Sequence, residues 1–122
     1  MKEEILYKTP IVNSWGAVTL VNHCGLITPD HPKTVIFLDE NGRPRHLGDA
    51  KNEPLKTKAL IVVQRRTGDP HPTEMEIKEC KAWKEICNKM GDVKLADFII
   101  MSGAHHYSFA DETVQGPGPK GF

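Results

Sequence analysis

Residues 59–91 read ALIVVQRRTGDPHPTEMEIKECKAWKEICNKMG, and the order of signals in this stretch decides the fold. Ala59 to Val63 is apolar at every position, the pattern of a strand covered on both faces. Arg65 to Pro72 is rich in turn formers and ends the strand. Thr73 and Glu76 then stand in the spacing of a capping box, in which a threonine hydroxyl and a glutamate carboxylate satisfy the first free N–H groups of a helix. Ile77, Cys80, Trp83, Ile86, Cys87 and Met90 follow at helical spacing, and Gly91 sits where a C-terminal cap belongs. The stretch predicts a buried strand, a loop and a helix over about 74–90, with Ile77, Cys80, Trp83 and Met90 turned to the core.

Outward from this unit, Ala96 to Met101 predicts a second apolar strand, with Ile99 and either Phe98 or Met101 against the helix. Ser102-Gly103 predicts a turn, and Tyr107 to Phe109 a short returning strand. Upstream, Thr34 to Leu38 predicts a strand stopped at Asp39-Glu40-Asn41-Gly42, where Asn-Gly favours a tight turn. Arg43 to Lys58 is broken by Pro44, Gly48 and Pro54 and reads as loop or short edge strand. The apolar runs in residues 5–27 suit strands, with a short helix as the alternative. Residues 116–122 read as a loose Gly/Pro-rich tail. Elements in this order predict an α/β (α+β) domain built on a mixed sheet.

Composition narrows the class. A chain of 122 residues suits one domain, here 1–122, and 39% hydrophobic content suits a packed core. No apolar run approaches the roughly 20 residues needed to cross a bilayer. The opening MKEEILYKTP has acids where a signal peptide carries positive charge, so a cytoplasmic protein without a membrane partner is expected. Cys24, Cys80 and Cys87 lack paired spacing and read as free thiols. Sixteen basic residues against sixteen acidic ones argue against strong nonspecific nucleic-acid binding.

The stretch from Gly68 to Asp111 resembles the C-terminal part of the RadC-like JAB/MPN family. The matching residues are Gly68-Asp69-Pro70, Pro72-Thr73, Glu76-Ile77, Asp97 to Met101, and Ser108 to Asp111. The interval across the helix agrees as well. Thr34 to Gly42, with Leu38-Asp39 and Asn41-Gly42-Arg43, resembles the family's first long strand and turn, while the stretch from there to Gly68 is shorter than usual. The resemblance implies a JAB/MPN-like mixed sheet with the 74–90 helix packed on it. It also implies a zinc site of two histidines and an aspartate, with a glutamate as base.

Those ligand positions fall here on Val63, Arg65 and Glu76, and the base position falls near Asp30-His31-Pro32. Valine has no donor atom, and arginine stays protonated and repels a cation. Thr67 keeps the hydroxyl of the family's oxyanion-supporting serine. The expectation is therefore a RadC-like domain, related to a DNA-repair family, that has lost zinc hydrolysis, holds no metal or cofactor, and acts as a binding or regulatory module. Its partner would be a protein or DNA-associated molecule, and a homodimer is compatible with this reading. The competing reading is an active metal-dependent hydrolase with substitute ligands such as His71, Glu76 and His105 or His106.

The residues expected to form a binding site are Arg65, Arg66, Thr67, Asp69, His71, Thr73 and Glu76. Two guanidinium groups before a helix N-terminus suit phosphate or carboxylate. The plainer alternative is a pair of solvated charges compensated by Asp69 and Glu74, with Glu76 serving only as a cap.

Overall fold

A computed structural model describes residues 8–45 and 57–116. In chain order the elements are α1 (Ser14–Cys24), β1 (Lys33–Leu38), β2 (Ala59–Arg65), α2 (Glu74–Met90), β3 (Lys94–Ser102), β4 (His105–Ser108) and β5 (Thr113–Gln115). The strands form one five-stranded sheet in the order β1-β2-β3-β4-β5. β2 and β3 run parallel, and the other neighbouring pairs are antiparallel. A parallel neighbour cannot be reached through a tight turn, so the chain must cross over, and α2 is that crossover. The fold is α+β with a mixed sheet.

Alternation along the strands separates two cores. Ile36, Leu38, Ile61, Val63, Ile99 and Met101 pack against Ala17, Val18, Leu20 and Val21 of α1. Val62, Phe98 and Ile100 pack on the other face with Cys80 and Trp83 of α2. Of the residues expected against α2, Phe98 is there, whereas Ile99 is corrected, since the pleat sends it to α1 together with Met101, the alternative to Phe98. The register shifts where Leu60 pairs with Leu95 and Ile61 pairs with Asp97, which makes Ala96 the extra residue of a bulge. That bulge lets both Leu95 and Phe98 join the α2-side core.

Within residues 5–27, where strands were expected with a short helix as the alternative, residues 14–24 form a helix. Asn13 is its N-cap and accepts a hydrogen bond from Gly16 N, while Gly25 ends the helix in the left-handed region at φ 60°. Thr19, Val18 and Val21 favour strands locally, but Ala17, Val18, Leu20 and Val21 bury a helical face on the sheet, and packing of that face outweighs propensity.

The helix expected at 74–90 is α2, and its capping box is complete. Its buried seam is narrower than the apolar periodicity suggests. Glu76, Cys80 and Cys87 are buried and Trp83 is half-buried, whereas Ile77, Ile86 and Met90 are 40%, 44% and 52% exposed. A helix lying on one face of a flat layer meets it along a single stripe, so apolar residues flanking the stripe stay in solvent. The Asn41-Gly42 turn forms, with Gly42 at φ 76° and Asp39 Oδ1 accepting from Asn41 N and Arg43 N. Among the described residues it returns to an isolated bridge between Leu38 and Pro44, with Arg45 N donating to Phe37 O at 2.7 Å. The expectations for residues 46–56 and for the tail from 117 lie outside the described residues. β5 has no counterpart among the expected strands. Gly116 after it is forced by close approach, because a Cβ there would lie 2.7 Å from the carbonyl oxygen of Ala104.

Candidate functional site

The loop between β2 and α2 is tied to the sheet by backbone first. Arg65 N donates to Pro32 O at 2.8 Å, and Arg66 N donates to Met101 O at 2.9 Å. Gly68 turns the chain at φ 85°, and its carbonyl accepts from Ser102 Oγ at 2.5 Å. Asp69 Oδ1 then accepts from His71 N at 2.9 Å and lies 2.5 Å from His71 Nδ1. The His71 backbone N–H, then its ring, hold the Asp69 carboxyl below its ordinary range, with Arg66 adding a weaker pull.

Glu76 is the hub. Its Oε1 accepts from Thr73 N at 2.8 Å while Glu76 N donates to Thr73 Oγ1 at 3.2 Å. Its Oε2 accepts from Gln64 Nε2 at 2.7 Å and lies 3.1 Å from Arg66 Nε. The last contact is an ion pair without hydrogen-bond alignment, so attraction between the charges carries it. Arg66 Nη2 donates to His71 O. Glu76 is 6% exposed and Gln64 9%, so this carboxylate is committed to protein groups within a sheltered site.

The expected site residues therefore divide. Arg66, Asp69, His71, Thr73 and Glu76 are brought into one network. Arg65 and Thr67 stand exposed at its rim. The plainer alternative sets Asp69 and Glu74 against the arginines; the acid in ion-pair contact with Arg66 is Glu76, because the helix turns Glu76 inward and leaves Glu74 in solvent, while Asp69 feels Arg66 only weakly. Gln64 belongs to the network without having been among the expected residues. Its signal is a lone amide closing an otherwise apolar strand, which requires a buried partner.

The positions on which the resemblance places zinc ligands do not converge. Val63 is fully buried in the α1-side core, whereas Gln64 beside it turns the other way to meet Glu76. Of the substitute set, His106 faces α1, where its Nε2 lies 2.7 Å from Ser14 Oγ, whereas His71 lies beside Tyr107 of the α2-side cluster and His105 is exposed. Among the described residues no three His, Cys, Asp or Glu side chains gather closely enough to hold a metal. The residues present do not fit the zinc site.

A second polar group lies on the α1 side. Asp97 Oδ1 accepts from Phe98 N at 2.7 Å and Ala110 N at 3.0 Å, and its Oδ2 accepts from Ser108 Oγ at 2.7 Å. Burial pushes the Asp97 carboxyl up, against the opposing pull of the Ser108, Ala110 and Phe98 hydrogen bonds. A cavity of about 260 Å³ adjoins it, lined in part by Asn13, Ser14, Leu38, Ile61 and Asp111. Cys80 and Cys87 are free buried thiols, as expected, and burial pushes both up, away from nucleophilic thiolates. Compared with protein-family models and with curated proteins, the chain matches none.

Proposed function

We propose that this chain is a non-catalytic binding module of the RadC-like JAB/MPN type, whose β2–α2 loop meets an acidic or phosphate-bearing group on a cytoplasmic partner. One observation carries the reading. Glu76, the single position of the implied ligand set that retains a metal-binding side chain, has both carboxylate oxygens occupied by Thr73, Gln64 and Arg66. A carboxylate used this way is a structural bolt.

The network also decides which arginine recognises the partner. Arg66 is neutralised by Glu76, and the Thr73 N–H is taken. Arg65 is exposed, and among the described residues no hydrogen bond or ion pair engages its guanidinium. It is the charge available to an incoming anion, with the Thr67 hydroxyl two residues on in sequence. Binding through one exposed guanidinium is weak and screened by salt.

The test is a titration of isotope-labelled protein with inorganic phosphate, followed by amide shifts. The wild type is expected to shift residues of the 65–73 loop, less so as salt rises, and Arg65→Ala to abolish those shifts. Arg66→Ala is expected to perturb α2 even without phosphate. Equal shifts in wild type and Arg65→Ala would refute the anion site. Stoichiometric zinc in the purified protein would instead support the hydrolase reading.

A further inference from the structure

His106 is the buried histidine of the described residues. The residue is 1% exposed, with Nε2 2.7 Å from Ser14 Oγ at the first turn of α1 and the Trp15 ring edge-on at 4.4 Å. Across the sheet it pairs with Met101 of β3 and Gln115 of β5. Nδ1 has no hydrogen-bond partner. Asp111, in the turn after β4, is the charged group acting on the ring, and its pull is weaker than the effect of burial. Ser14 is itself 4% exposed, so the contact is sealed within the seat of α1.

We propose that the Ser14–His106 pair is an acid-released latch: a proton taken up by His106 expels the ring from the sheet face and frees the first turns of α1. The geometry is unfavourable to an imidazolium. Its second N–H would have no acceptor, and its charge would sit against Trp15 and Met101 with no ion-pair partner. Burial accordingly holds the ring down at about 4. A histidine so reluctant to take a proton is a poor base near neutrality.

The sign follows from linkage. The folded ring binds its proton less readily than the free side chain does, so the latch is intact above about pH 6.5 and loosens as pH falls toward about 4. Asp97 cannot produce this effect: its carboxyl is pushed up, so the folded state gains protons there and is favoured by acid. Asp69 is held below its ordinary range and loses its contribution only in stronger acid than His106 requires.

The experiment is hydrogen exchange on the full chain at about pH 7 and about pH 5, corrected for intrinsic rates, with α1 compared against β3. Protection in α1 is expected to fall by up to about tenfold per pH unit, with β3 less affected. His106→Gln, which does not titrate in this range, is expected to abolish the pH dependence. Unchanged α1 protection in the wild type, or the same decline in His106→Gln, would overturn the latch. Should that variant not fold, the His106 ring proton resonance of the wild type decides: a midpoint below about 5 supports the latch, and one near the ordinary value of about 6.5 refutes it.

Discussion

Phe98→Ala is expected to lower the unfolding free energy by about 3–5 kcal/mol. Phe98 is 0% exposed at the centre of the α2-side core, with Val62, Cys80 and Ile100 around it. Its ring meets Phe109 edge-on at 5.2 Å, and Phe109 in turn meets Tyr107. Truncation removes buried area and also leaves a hole between the sheet and α2 that the surrounding close packing closes only in part. Since domains of this size are stable by only about 5–15 kcal/mol, the variant would lie near the limit of folding. Denaturant titration gives the value. Ile86→Ala and Met90→Ala, at positions 44% and 52% exposed, should move it by no more than about 0.5 kcal/mol. A Phe98 variant as mild as those two would mean that α2 does not pack where described.

Glu76→Ala is expected to cost about 1–3 kcal/mol, chiefly from the buried Gln64 amide left unsatisfied, because Thr73 Oγ1 still accepts from the backbone N of residue 76 and the N-cap itself is kept. The substitution strands Gln64 Nε2 and Thr73 N together and removes the counter-charge of Arg66. The Arg66 side chain is 27% exposed, so water moderates that last loss. Glu76→Gln keeps an acceptor oxygen but no charge, and should fall between wild type and alanine. The double change Arg66→Met with Glu76→Gln tests coupling: if the ion pair matters, the combined cost is less than the sum of the two singles. Thermal unfolding measures each variant, and faster exchange at the start of α2 would localise the damage. A neutral Glu76→Ala would show that the hub carries no stability.

What the sequence alone determined lies within a few residues of itself along the chain. The capping box of α2 pairs Thr73 with Glu76, three positions apart, so both partners are visible in one turn. The apolar runs that became β1, β2 and β3 are legible because a covered strand needs hydrophobic residues at consecutive positions. The candidate loop was legible for the same reason, lying between two such signals.

Only the tertiary structure decided the rest, because burial of a side chain depends on what arrives from elsewhere. Residues 14–24 are a helix since the sheet offers their apolar face a partner, against the strand preference of their valines. Gln64 became the anchor of Glu76 once α2 docked on the sheet. His106, one of two adjacent histidines, is buried where His105 is exposed because the pleat turns it toward Ser14, 92 residues away in sequence. Strand order and the choice of face for each residue come from that same long-range packing, which no local pattern encodes.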